Sequence, residues 1–530
     1  MIAITNPILK GFNPDPSIIR VGSDYYIATS TFEWFPGVQI HHSKDLNNWE
    51  LVARPLNRLS QLPLDGLPDS CGVWAPCLSY DEGTFYLVYS IVQQFEDLRG
   101  NTPNYLVTSK DILGPWSDPI PLGNYGFDGS LFHDSNGRKW FTSMKVNPEK
   151  GKIFGGIVLQ EYNATSKKLI GPIHQIFEST ELGLTEAPHI YQKNGYYYLL
   201  LAEGGTEYGH AITMVRSKVL TGPYEVHPEN PIITARHSPE HPLQKAGHGD
   251  LVETENGKTY CTFLVGRPLS IQGRCTLGRE TAMAEMEWRD DGWLYGKKGK
   301  LPPLTLQATG KSQISNSKFQ RLIKDDFDGP ELDINFQTLR SPLDESWASL
   351  RHRKSHLRIH GRKGLDALSA QSLVARRVQS FSIQASTCIH FKPKTQGQMA
   401  GLVCYYNTHH WIYLHITVNE KKQRVVCIKV CDKGKITSPI DCLLISETGA
   451  VELSVRWENS KVQFFIQEQH GEMEEIGPEL DDSILSDDYV RNEKVKYMPA
   501  FTGAFVGMAC QDLQGRGAYA DFDWFTYEEI

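Results

Sequence analysis

The apolar positions of this chain fall in short bursts or alternate with polar ones, and almost no segment repeats them with a helical period. The clearest bursts are Tyr25-Tyr26-Ile27-Ala28-Thr29, Phe85-Tyr86-Leu87-Val88-Tyr89, Tyr196-Tyr197-Tyr198-Leu199-Leu200 and Thr259-Tyr260-Cys261-Thr262-Phe263. They are rich in aromatic and β-branched side chains, which suit a pleated surface, and are bounded by Gly, Asp or Asn turns. The pattern predicts an all-β protein.

The bursts also recur as a unit. A small or acidic residue, two spacers, an aliphatic anchor, a glycine turn and an aromatic strand run from Asp15 through Ile18 to Gly22. The phrase returns at Ala75 to Gly83, Asp128 to Gly137, Ala187 to Gly195 and His248 to Gly257. Its anchors Ile18, Leu78, Leu131, Ile190 and Leu251 are 60, 53, 59 and 61 residues apart. A second phrase closes some units, beginning Ser43-Lys44, Ser109-Lys110 and Ser217-Lys218 and ending on Trp49, Trp116 and Tyr224. Five echoes of one hairpin predict a five-bladed β-propeller, since a sandwich has many strands but no such repeat. The first strand of a blade lines the central channel. Asp15, Ala75, Asp128, Glu186 or Ala187, and His248 are therefore expected to face one cavity.

The repeat ends near Tyr295, giving a propeller domain over residues 1–305; the Gly/Pro-containing stretch 296–303 and the Ser/Lys/Gln-rich run to Gln320 mark a connection, with the linker placed at 306–325. Residues 326–530 carry alternating strands such as Phe381-Ser382-Ile383-Gln384-Ala385 and Val451-Glu452-Leu453-Ser454-Val455. Alternation predicts sheets with one wet face, hence a β-sandwich.

Composition narrows the class of function. The net charge of −8 supplies none of the clustered Lys/Arg that nucleic acid or an anionic membrane requires. No run of about 18 apolar residues is present to span a bilayer. The N-terminal Met-Ile-Ala-Ile-Thr-Asn-Pro lacks the basic and apolar regions of a secretory signal. The ten cysteines form no CxxC pair, so buried reduced thiols in a cytoplasmic protein are expected.

Three carboxylates at corresponding blade positions are the main chemical clue: Asp15 in Asn13-Pro14-Asp15-Pro16-Ser17, Asp128 in Phe127-Asp128-Gly129-Ser130 and Glu186 in Leu184-Thr185-Glu186-Ala187-Pro188. One such carboxylate would suit a turn or a bridge between blades. Three crowded in one cavity repel, and the repulsion raises a pKa, which suits acid/base work. Phe32, Trp34, Phe35 and Trp74 lie near the same blade positions. Rings that stack on a sugar beside an acid and a base point to glycoside hydrolysis, whereas blade-to-blade packing is their bland role.

With Ser70-Cys71-Gly72-Val73-Trp74-Ala75-Pro76, Gly247-His248-Gly249-Asp250 and Gly278-Arg279-Glu280-Thr281, these segments resemble glycoside hydrolase family 43. The two-domain layout is similar to its β-xylosidase branch, with a concanavalin-like sandwich. The resemblance implies an inverting, exo-acting hydrolase that releases D-xylose from the non-reducing end of xylo-oligosaccharides. In that reading Asp15 is the general base, Glu186 the general acid, and Asp128 raises the pKa of Glu186 and orients it. Phe32, Trp74, Thr206 and Arg279 bind substrate, with Arg279 also holding Asp128 ionised. Phe505, in Phe501-Thr502-Gly503-Ala504-Phe505-Val506-Gly507, closes the site from the sandwich or else packs in the sandwich core. His248 either helps hold a hydrated calcium ion at the channel floor or is a neutral, hydrogen-bonded histidine. No cofactor is required for hydrolysis, and the assembly implied is a dimer or tetramer.

Two departures bear on the sugar. Lys145-Val146 follow Met144 where relatives carry a tryptophan, and the loop 268–274 is short. An α-L-arabinofuranosidase, or an enzyme with both activities, is the alternative within the class. A non-catalytic carbohydrate-binding propeller is a more distant one, because stacking rings suffice for binding and the three acids would then have no purpose. A fructan-cleaving propeller is discounted, since its first motif reads Asn-Asp-Pro-Asn.

Overall fold

The computed structural model describes residues 2–147, 152–308, 322–469, 471–491 and 499–530. Helix among these residues amounts to the single turns Asp482–Leu485 and Asp487–Val490. The chain divides into two compact units, one of residues 1–62, 71–272 and 279–313, the other of 63–70, 273–278 and 314–530.

The first unit is a five-bladed β-propeller built from antiparallel sheets in sequence order. Blade 1 comprises Ser17–Val21, Asp24–Thr29, Gln39–Ser43 and Glu50–Ala53. Blade 2 is built on Cys77–Asp81, Thr84–Val92 and Asn104–Ser109, and blade 3 on Ser130–His133, Lys139–Asn147, Lys152–Asn163 and Lys168–Phe177. Blade 4 is built on Glu186–Lys193, Tyr196–Glu203 and Ala211–Ser217, and blade 5 on Gln244–Glu253, Thr259–Gly266, Arg279–Trp288 and Leu294–Gly296. The anchors seen in sequence are core residues. Ile18 packs with Ile27 and Met283, Leu131 with Val88 and Phe141, and Leu251 with Ile212 and Phe263. These three anchors thus join their own blades to a neighbour.

The repeat also fixes backbone conformation. Asp15, Asp128, Ala187 and His248, each three residues before its anchor, have φ of +54°, +54°, +52° and +52°. A left-handed residue costs strain outside glycine, and its recurrence in four blades marks the corner where the inner strand leaves the channel mouth. The ends of the unit meet: Ile2–Thr5 pairs antiparallel with Thr305–Ala308. The amide of Ile8 donates to Thr281 O (2.8 Å), and Asn6 Nδ2 donates to Met283 O (2.8 Å).

The second unit is a β-sandwich. One sheet runs Ala348–Ser349, Leu357–His360, Tyr519–Glu529, Ile383–Phe391, Val451–Glu458, Lys461–Glu468 and Glu474–Asp481. The other is centred on Arg424–Asp432, His410–Val418, Gln398–Asn407, Phe505–Asp512 and Leu373–Arg377. Their facing side chains, among them Ile389, Leu402, Leu414, Leu453, Phe464 and Phe522, form the core.

Three expectations need correction. Both ends of the segment 306–325 are strands, because Thr305–Ala308 and Leu322–Asp325 find partners; 309–321 lie outside the described residues. The one-wet-face rule fails for Gln398–Asn407, His410–Val418 and Phe505–Asp512, which are buried at every position. Some of their polar groups are satisfied internally; Tyr413 Oη, for example, donates to Ala509 O (3.0 Å). Cys427 and Cys442 form a disulfide across 15 residues, a spacing that a search for CxxC does not detect, while the other eight cysteines form no disulfide.

Candidate active site

Asp15 is held from several sides. Its loop is pinned where Asn13 N donates to Arg279 O (2.9 Å), Thr281 Oγ1 to Asn13 O (2.6 Å) and Ser30 N to Pro14 O (3.2 Å). The carboxylate, 4% exposed, accepts from Ser30 Oγ (2.6 Å) and pairs with Arg279 Nη1 (3.1 Å). Arg279 Nη1 also donates to Thr206 Oγ1 (2.9 Å), so the guanidinium links blade 1, its own blade 5 and the loop after Tyr196–Glu203. His248 Nδ1 is 3.7 Å from the same Asp15 oxygen.

Glu186 opens the inner strand of blade 4, and an irregularity in register between Glu186 and His189 displaces it from the regular ladder. Strand bulges re-aim side chains in this way. The preceding Thr185 donates to Glu203 Oε1 (2.6 Å), and that buried carboxylate also takes the amide (2.8 Å) of Thr180. Asp128 lies at the matching corner of blade 3, 7% exposed.

The electrostatics separate the three acids. Burial, then the Asp15 charge, push Glu186 up to about 8, with Arg279 opposing. Asp128 is raised well above the usual carboxylate range by burial, then by Glu186 and Asp15, again against Arg279. Asp15 is the member with a direct arginine partner. The site thus pairs an ion-paired carboxylate with a carboxyl that keeps its proton through neutral pH, the division of labour that acid/base catalysis requires.

An aromatic wall adjoins them. Trp74 stands edge-on to Phe127 at 4.9 Å between ring centroids and 6.1 Å from Phe32, and the Arg279 guanidinium lies 5.4 Å over Phe32. Phe32 itself has a left-handed φ of +51° and exchanges backbone hydrogen bonds with Val73, which brings its ring to the channel mouth.

The first unit therefore gathers Asp15, Asp128, Glu186, Arg279, Thr206, Phe32, Trp74 and His248. Phe505 belongs to the second unit, where it opens the strand Phe505–Asp512, fully buried, with the Arg377 guanidinium 5.4 Å over its ring. Sequence reading passed over Ser30 and His210. Burial lowers His210 to about 3; its Nδ1 faces Lys245 O at 3.0 Å, and its Nε2 has no hydrogen-bond partner among the described residues. Its ring fits because Gly247 has no Cβ, which would lie 2.3 Å from it. The available signal was the run Gly204-Gly205-Thr206-Glu207-Tyr208-Gly209-His210, a glycine-rich loop carrying polar groups at the channel mouth.

As a direct ligand His248 suits calcium poorly. Burial lowers it to about 4, so it is a neutral imidazole, a nitrogen donor for an ion that prefers oxygen. The carboxylate nearest to it, Asp15, already serves Arg279 and Ser30. Among the described residues the group whose donors cluster within ligand distance is Cys275, Asp487 and Asp488, in the second unit.

A propeller whose channel mouth unites these carboxylates with an arginine and a ring wall defines a glycoside hydrolase, and the chain belongs to family 43 of the glycosyl hydrolases. That family's model matches residues 4–294, and the β-xylosidase C-terminal concanavalin A-like domain matches residues 324–528. Its relatives include a β-xylosidase of Bacillus subtilis (strain 168), 47% identical over 99% of both chains. The xylosidase/arabinosidase 43B of Humicola insolens is 47% identical over 100% of this chain and 98% of its own. The crystal structure of xylan β-1,4-xylosidase from Bacillus halodurans C-125 superposes with a TM-score of 0.96 at 48% identity, covering 99% of this chain and 100% of that one.

Proposed function

We propose that this protein is an inverting, exo-acting β-1,4-xylosidase that releases D-xylose from the non-reducing end of xylo-oligosaccharides. The observation that carries the reading is the opposed condition of two carboxyls: Glu186 holds its proton up to about 8, while Asp15 lies against Arg279 and Ser30. Asp15 draws a proton from water as that water attacks the anomeric carbon. Glu186 gives its proton to the departing oxygen. Asp128, raised by burial and then by the Glu186 and Asp15 charges, is the modulator and orienter of the acid in this reading. Arg279 and Thr206 bind sugar hydroxyls, and Phe32 and Trp74 present ring faces to the sugar. No step runs through a metal ion.

The names of its relatives also favour a second activity on α-L-arabinofuranosides. Turnover of nitrophenyl β-xyloside against nitrophenyl α-arabinofuranoside ranks the two. Proton NMR of xylobiose hydrolysis is expected to show α-xylose first; β-xylose first would overturn the inverting assignment, and no turnover of any of these would leave a binding protein.

Among the described residues no helix is long and apolar enough to cross a membrane. A cytoplasmic location is supported by the eight cysteines that form no disulfide and opposed by the one disulfide. A dimer or tetramer rests on the family resemblance, and light scattering decides it.

A further inference from the structure

One ring of residues lies below the catalytic one. Two residues beyond Asp15, Asp128 and His248 stand Ser17, Ser130 and Asp250, with His189 in the same place in blade 4. The inner strands of all five blades there line a cavity of about 360 Å³. Asp250 is 5% exposed, and among the described residues no lysine or arginine lies within 4.0 Å of it. Four donors replace a cation. Its Oδ2 accepts from Ser17 Oγ (2.9 Å) and the Ile18 amide (2.9 Å), both in blade 1. Its Oδ1 accepts from the Tyr191 hydroxyl in blade 4 and from the Leu251 amide (2.8 Å) in its own blade. Ser17 Oγ in turn accepts from the Leu78 amide of blade 2 (3.0 Å).

These bonds run along two particular strands. Ser17 and Ile18 begin the strand that Asp15 leads into, two residues upstream, and Tyr191 sits in the strand that Glu186 opens. One buried carboxylate therefore grips both the strand of the proposed base and the strand of the proposed acid. An inverting hydrolase depends on the spacing of those groups, roughly 6.5–9.5 Å, because a water must fit beside the sugar. We infer that Asp250, which touches no substrate, is a positioning residue that sets the general base relative to the general acid. The inference rests on the function proposed above.

Its two arms can be cut separately. Ser17→Ala releases the base strand, Tyr191→Phe the acid strand, and Asp250→Asn disturbs both. Two aryl glycosides of whichever pentose the wild type hydrolyses serve as probes. A dinitrophenyl leaving group departs without a proton; a methylphenyl one needs it. Ser17→Ala is expected to lower kcat on both substrates. Tyr191→Phe is expected to lower it on the methylphenyl substrate alone, and Asp250→Asn on both, most on the methylphenyl one, by about tenfold or more. KM and inhibition by free pentose should stay within about twofold of wild type. Equal losses on both substrates in every variant, tracking a fall in Tm, would make Asp250 a mere structural tie; kcat within twofold throughout would also overturn the inference. Should Asp250→Asn fail to fold, the two single-arm variants decide alone. A wild type inert on all aryl pentosides would overturn the proposed function and this inference with it, whereas an active wild type with unmoved variants overturns this inference only.

Discussion

Asp69 in the sandwich unit and Glu186 in the propeller unit are both carboxyls removed from water, and they end on opposite sides of the ordinary range. Burial works to raise Asp69, but the hydrogen bond with His409, the charge of Arg340 and the Thr408 hydroxyl overcome it and hold it at about 2. Its bond from Arg340 Nη2 is 2.6 Å long, with that side chain 1% exposed. Burial raises Glu186 as well, and there the neighbouring charge is another carboxylate, so it reaches about 8. Asp521, gripped by Arg358 and Arg353, follows the Asp69 pattern. Burial of charge alone therefore does not mark a site. The sign of the nearest charges does: opposite charges make a strut, and like charges keep a proton available for transfer.

The strongest challenge to this contrast is removal of the acids themselves. Asp15→Asn and Glu186→Gln are each expected to lower kcat about 10²–10⁴-fold with the fold intact by circular dichroism. A strut treated alike should respond in stability instead. Arg340→Ala leaves Asp69 buried without its arginine and is expected to cost about 3–5 kcal/mol, read from urea unfolding. A smaller effect sharpens the propeller side. The acid works while Glu186 is protonated, so activity falls as pH rises through the upper pKa of the Glu186–Asp128 pair. Asp128→Asn removes the mutual repulsion, which lowers that pKa and should move the basic limb of the kcat profile to lower pH. An unmoved limb would show that Asp128 contributes shape alone.

What was legible in the sequence follows the same division. Asp15, Asp128 and His248 each sit three residues before an aliphatic anchor, so a local phrase placed them in one channel. Glu186 is one residue off that register because of a local irregularity, and the sequence left it undecided between Glu186 and Ala187. Ser30 and His210 were missed because their positions follow from pairing between strands and from space left by Gly247, which no repeat encodes. In the sandwich, alternation found the strands but did not show which face would be covered. Residues 63–70 and 273–278 also join that unit through long-range bonds, such as Arg340 Nε to Leu67 O (2.6 Å) and Ala504 N to Thr276 O (3.0 Å).

The pairing of Ile2–Thr5 with Thr305–Ala308 has a consequence for synthesis. Each blade is made from one continuous stretch of chain, so the blades can form in turn as they leave the ribosome. The ring stays open until the segment around Ala308 has emerged to meet the N-terminal strand, about 300 residues after the first blade began. Until then the first and last blades expose apolar flanks that only closure covers. The same meeting of ends invites circular permutation: a short link between them, with new termini in an exposed turn such as that at Gly137, keeps every blade whole and moves the moment of closure.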